Sequence, residues 1–169
     1  MQQISSDTHR WLTDSIVSGS VAAISSAAAL ALRSKADEDS FAGGLNGPSQ
    51  WVWGRRAART RRASLRHTAL GYAIHHGTSI FWALMFERVC GRSNDDRLTR
   101  ISKERIVAEA VGMTALAFCV DYGLTPRRLQ PGFEHHLSKR SMLMVYASFA
   151  AGLAVTNLLR RQQAERLER

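Results

Sequence analysis

The chain has 169 residues, the size of one packed unit, with 45% hydrophobic residues and a formal net charge of +9. Its mean hydropathy of -0.19 would suit a soluble protein, but arginine-rich stretches alternate with long uncharged ones. A nucleic-acid partner needs a continuous basic face, and here the basic residues sit between apolar blocks; no nucleic-acid partner is expected, and a lipid bilayer is.

The first apolar block, 16–32, is uncharged and rich in Ala and Ser, and it predicts a membrane span over about 12–32. Ala29-Leu30-Ala31 imitates a cleavage site. The start, with Asp7, His9, Arg10 and Asp14, lacks the positive stretch of a secretory signal, so the run is read as a retained span. Ser15, Gly19, Ala23, Ala27 and Ala31 form a row of small residues at i, i+4 spacing, a face suited to close contact with another helix of this or another chain.

The following connection opens with Asp37, Glu38 and Asp39 and the Gly43-Gly44 pair. Asn46-Gly47 reads as a turn, and Pro48 suits the first turn of a short helix. Trp51 and Trp53 then meet the basic run Arg55, Arg56, Arg59, Arg61 and Arg62. This pattern predicts an interfacial helix over about 47–62, with Trp51, Trp53, Arg55, Arg56 and Arg59 at lipid head groups. The alternative is a solvated loop whose tryptophans dock on the helices.

A second span is expected over about 66–88, a third over about 105–124 with Glu109 and Asp121 near its ends, and a fourth over about 139–160. The fourth carries Ser148, Gly152 and Thr156 as a second small-residue face. The expected fold is therefore all-α, a single membrane domain over 1–169. It is an integral membrane four-helix bundle with a short interfacial helix after the first span. Lys and Arg number eleven on one side of such a bundle and twelve on the other, so the positive-inside rule selects no orientation. Cys90 and Cys119 fall near opposite faces, which argues against a disulfide, and no CxxC pair occurs.

Ionisable groups inside a membrane deserve a functional hypothesis. Helical spacing places Thr68, Tyr72, His76 and Ser79 on one stripe of the second span, with Gly71 and His75 beside it. The third span ends in Asp121-Tyr122-Gly123 at the same side, and the loop after it carries Glu134, His135 and His136. The candidate polar cluster is thus His67, Tyr72, His75, His76, Ser79, Asp121, Glu134, His135 and His136. Glu87 and Glu109 are expected together near the opposite face, with Arg88 or Arg105 as partners.

Three readings of the cluster compete. It ties the helices together by hydrogen bonds; or it binds metal or haem, with His75 or His76 as ligand; or it forms part of a proton or ion pathway in an oligomer. No cofactor is expected under the first. No Gly-rich phosphate loop, HExxH or GxSxG motif is present, so the sequence does not point to an enzyme. Expected partners are the bilayer, a second copy of the chain, or a larger membrane protein.

The segments Gly-Pro-Ser-Gln-Trp-Val-Trp-Gly, His-His-Gly-Thr-Ser-Ile-Phe-Trp-Ala and Asp-Tyr-Gly-Leu-Thr-Pro-Arg-Arg-Leu-Gln-Pro-Gly-Phe-Glu lie between Asn46 and Ser148. Over this part the chain resembles an uncharacterised family of small bacterial four-span inner-membrane proteins. The resemblance implies a bacterial inner (cytoplasmic) membrane and brings no mechanism and no functional residue.

Overall fold

The computed structural model of the chain describes residues 2–90 and 100–167, with side chains for 9–88 and 100–167. The described residues are all-α, with no strand among them. Four long helices dominate: α1 (Gln2–Glu38), α4 (Leu70–Cys90), α5 (Lys103–Cys119) and α6 (Lys139–Leu167). Two one-turn helices, α2 (Gly43–Asn46) and α3 (Gln50–Trp53), lie between α1 and α4. Serine hydroxyls begin three of the long elements. Ser64 Oγ accepts from His67 N–H at 3.1 Å, Ser102 Oγ from Arg105 N–H at 3.2 Å, and Ser138 Oγ from Ser141 N–H at 3.3 Å, satisfying donors that a helix start leaves open. A π turn over Leu65–Ala69 leads into α4, and another over Val120–Leu124 extends α5. Asp39, at φ 59°, closes α1 in the left-handed conformation that Asp tolerates.

Small residues decide the packing. α1 lies most extensively against α6 and α4, and α5 packs on α6 and more sparingly on α4. A Cβ at Gly19 would stand 2.7 Å from Ile80 Cα, and one at Gly152 would stand 2.5 Å from Ala22 Cα. Both contacts are helix backbone against helix backbone. The small-residue faces on α1 and α6 therefore meet partners within the chain.

Among the described residues, three helices are long and apolar enough to cross a membrane: His9–Glu38, Lys103–Leu124 and Lys139–Leu167. α4 falls short of that measure, since Tyr72, His75, His76, Thr78 and Ser79 interrupt its apolar run. The polarity is nonetheless turned inward. Its exposed residues between 69 and 87 are Ala69, Ala73, Gly77, Phe81 and Met85, while His75, Ser79 and Glu87 are buried.

The same inversion holds for α1. Ser15, Ser18, Ser26 and Ser34 are fully buried, and Ile16, Val17, Ile24 and Leu32 are each at least half exposed. In a water-soluble helix the arrangement runs the other way.

Segment 47–62 forms separate turns, at Gly47–Ser49, Gln50–Trp53 and Ala57–Arg59, where a continuous interfacial helix was expected. Gly54, at φ 76° and ψ 175°, leaves helical geometry and ends α3.

Candidate functional site

At one end of the helices, the cap end, the segment after α1 interlocks with the segment before α6. A Cβ at Gly47 would stand 2.6 Å from Pro131 O, and one at Gly132 would stand 2.9 Å from Gly47 O. Gly132 also needs φ +78°, which L side chains rarely adopt. Asn46, fully buried, pins the fold of this cap. Its Nδ2 donates to Thr60 O at 2.6 Å and Arg62 O at 3.1 Å, and its Oδ1 accepts from Thr68 Oγ1 at 2.7 Å. Gln50 Nε2 donates to Gln130 O at 2.7 Å, and Trp51 Nε1 reaches the same oxygen at 3.4 Å.

The cap roofs a cavity of about 60 Å³ between the helices, lined by His75, Ser79, Asp121, Trp51, Tyr146 and Phe133 among others. Three residues of the expected cluster meet here. Asp121 Oδ2 accepts from Tyr146 OH at 2.7 Å. His75 Nε2 lies 3.0 Å from Ser26 Oγ, whose own hydrogen has Ala22 O at 2.7 Å, so Nε2–H donates to Ser26. Ser79 Oγ donates to His75 O at 2.7 Å, which places Ser79 on the buried stripe of His75.

The other predicted residues lie elsewhere at the same end. His76 Nε2 pairs with Ser20 Oγ and its Nδ1 with Tyr72 OH, both at 3.1 Å. His67 meets only Ser64 Oγ, at 3.1 Å, on an exposed turn. His135 Nε2 stands 3.7 Å from Glu134 Oε1. His136 is buried in the cap with Nδ1 2.7 Å from Glu38 Oε2, and Nε2 faces Ala58 O. Glu38 Oε2 also takes Arg61 Nε at 3.1 Å. Both nitrogens of His136 face acceptors, so the two bonds form together when each nitrogen carries a proton or Glu38 is protonated.

Of the residues expected at head groups, Trp51 is turned inward as a roof of the cavity, because Gln130 O draws both it and Gln50 toward the helices. Trp53 stays half exposed, with the Arg66 guanidinium 4.3 Å over its ring and Nε1 donating to Arg66 O at 3.1 Å. Arg55, Arg56 and Arg59 are exposed.

At the far end a second polar set ties three helices. Arg160 lies 3.3 Å from Asp14 Oδ2 and 3.5 Å from Glu87 Oε2, and Asn157 Nδ2 donates to Glu87 Oε1 at 3.1 Å. Glu87 is 1% exposed. Glu109 pairs with Arg105 at 2.9 Å, as expected, while Arg88 stacks over Trp11. Cys119 is a free thiol, and the side chain of Cys90 lies outside the described residues.

Asn46, Asn157 and Arg160 carry much of this order; the last two were not singled out from the sequence, and Asn46 was read only as a turn residue. The one signal was Asn157, a polar amide near the end of the uncharged run 141–159, with Arg160 just beyond it. No group of three His, Cys, Asp or Glu side chains among the described residues is placed to hold a metal ion. Comparison of the chain with family models, curated proteins and solved structures finds no match.

Proposed function

We propose that the chain is a four-pass integral membrane protein of the bacterial inner membrane, as the family resemblance implies. Its role is structural or interaction-based: a four-helix bundle that packs with itself or with a larger membrane protein. The observation that carries this reading is the inverted surface, with serines, His75 and Glu87 inside and large apolar side chains outside. Lipid contact stabilises such a surface, and small-residue contacts and interhelical hydrogen bonds hold the interior.

Dimensions support the fourth pass. The uncharged runs 15–32, 68–86 and 141–159 span about 27–29 Å at 1.5 Å per residue, close to a ~30 Å hydrocarbon core. Charged groups cluster at both ends of these runs, with Asp14, Glu87 and Arg160 at one and Arg33, Glu38 and Arg61 at the other. The inward-facing polar groups that lower the hydropathy of α4 meet protein partners, so its lipid face remains apolar.

The histidines support the structural role. His75 and His76 are engaged across the helix contact by Ser26 and Ser20, the bonding expected of interhelical ties, and Tyr72 on the same helix steadies His76. Metal or haem ligation would have to displace these hydroxyls. Near-stoichiometric metal or a haem absorption band in protein purified from membranes, lost in His75→Ala, would overturn the structural role.

Topology is tested with single cysteines at Ser64 and Ser102, after replacing Cys90 and Cys119 by Ser. An impermeant maleimide should label one position in intact spheroplasts and the other only after permeabilisation. Labelling of both from outside would overturn the four-pass reading.

A further inference from the structure

The face between α5 and α6 holds a groove of about 870 Å³, mostly apolar, with its charged lining residues Glu134 and Lys139 toward the cap end and Thr114 the polar residue toward the other. One wall runs from Val111 to Tyr122 on α5 and its π turn; the other runs from Lys139 to Ala150 on α6. Each wall spans eleven residue steps, about 16 Å at the helical rise, which is half of a ~30 Å hydrocarbon core. The two helices are antiparallel, so Tyr122, Glu134 and Lys139 meet at the cap end. Val111 and Ala150 are the lining residues of each helix farthest from the cap end, near mid-depth. Between them the walls are Ala115, Phe118, Leu143 and Ala147.

We propose that this groove binds one glycerophospholipid with an amine head group, an inference that rests on the membrane reading above. An acyl chain fits an apolar slot that is one leaflet deep and ends at the midplane. A partner helix would need a face continuing through both leaflets. At the open end, Lys139 is a cation for the phosphate and Glu134 a carboxylate for the ammonium. Tyr122 OH is buried there beside Glu134 and Tyr146 without a hydrogen bond of good geometry to either, and it can donate to an ester carbonyl of the glycerol backbone. A rim with one charge of each sign matches a zwitterionic head group better than an anionic one.

The full chain, extracted in mild detergent, is examined by native mass spectrometry with added phosphatidylethanolamine or phosphatidylglycerol. One retained phosphatidylethanolamine per chain is expected. Ala115→Phe and Ala147→Phe fill the groove from exposed positions, and together they should abolish retention while circular dichroism and melting stay unchanged. Glu134→Gln should lower the preference for phosphatidylethanolamine over phosphatidylglycerol about fivefold, the effect of one charge near a membrane surface. A folded wild-type chain that carries no lipid, or the same retention in the filled variant, would overturn the site. Equal retention of the two lipids by wild type would overturn the head-group assignment. A chain that stays monodisperse without detergent would instead overturn the membrane reading itself. A chain that needs detergent yet binds no lipid leaves that reading standing.

Discussion

Gly152→Ala tests the close contact between the two long helices α1 and α6. The added methyl would sit 2.5 Å from Ala22 Cα, 2.9 Å from Ala22 N and 2.7 Å from Ser25 Oγ. Carbon atoms pack best at about 3.5–4.0 Å, so α1 and α6 must separate by about 1 Å. Two of the three obstacles are backbone and cannot rotate aside. The same separation stretches the Ser25 Oγ to Ser148 O hydrogen bond from 3.0 Å to about 4 Å, beyond bonding range. Overpacking costs about 1–3 kcal/mol, and an intramembrane hydrogen bond contributes about 0.6–1.7 kcal/mol. The expected loss is therefore about 2–4 kcal/mol. Gly112→Ala supplies the opposite sign, because nothing lies within 4 Å of its added Cβ and alanine favours the helix by up to about 1 kcal/mol. Sodium dodecyl sulfate titration in mixed micelles, followed by circular dichroism, reads both variants. Equal midpoints for Gly152→Ala and wild type would refute the α1–α6 packing and the argument from backbone proximity.

Asn46→Ala removes three bonds inside the cap and should cost about 2–4 kcal/mol locally, at about 1 kcal/mol per bond. Faster trypsin cleavage after Arg59, Arg61 and Arg62, with the long helices intact, is the expected readout; unchanged cleavage would remove Asn46 from its central place. Arg160→Ala leaves Glu87 buried beside Asn157 and should destabilise by about 3–5 kcal/mol, and Glu87→Leu in the same chain should recover much of that loss in a thermal melt. A double variant as unstable as Arg160→Ala alone would mean that the stranded charge is not the cause. Burial holds the His135 imidazole below its usual range, with Arg59, His136 and Arg55 acting the same way and Glu134 opposing them. The unfolded chain then binds a proton that the folded chain resists. This contribution to stability is full above pH 6.5 and is lost as pH falls toward the depressed value. His135→Asn should flatten that limb of the pH–stability curve, and an unaltered curve would contradict the assignment.

The long helices were legible because uncharged runs of nearly bilayer length are bounded by charges. The contact faces were legible too: Gly19 and Gly152 sit where their small-residue rows placed them. The cap was not. Asn46 reads locally as a turn residue, and its partners Thr60, Arg62 and Thr68 bear no spacing to it that a chain pattern would reveal. Trp51 and Trp53 look alike in sequence, yet Gln130 O draws only the first inward. The expected polar cluster shared one end of the helices but divided into His75 with Asp121, His76 with Ser20, and His136 with Glu38. Helix phase assigns a face, and the neighbours across that face come from distant parts of the chain. Arg160 shows the same limit, since it answers charges on two helices that precede it by 146 and 73 residues.

The clasp between Gly47 and Pro131–Gly132 joins segments made at different times. About 84 residues separate them, which at 5–20 residues per second means roughly 4–17 s of synthesis. Until Pro131 and Gly132 have been made, the arginine-rich connection after α1 lacks the segment that receives it. A chain stalled or truncated before Gly132 would keep α1 and α4 but present that connection open to proteases. Closure of the cap thus reports that synthesis has passed Gly132, a point at which quality control can distinguish chains that hold the clasp from shorter ones.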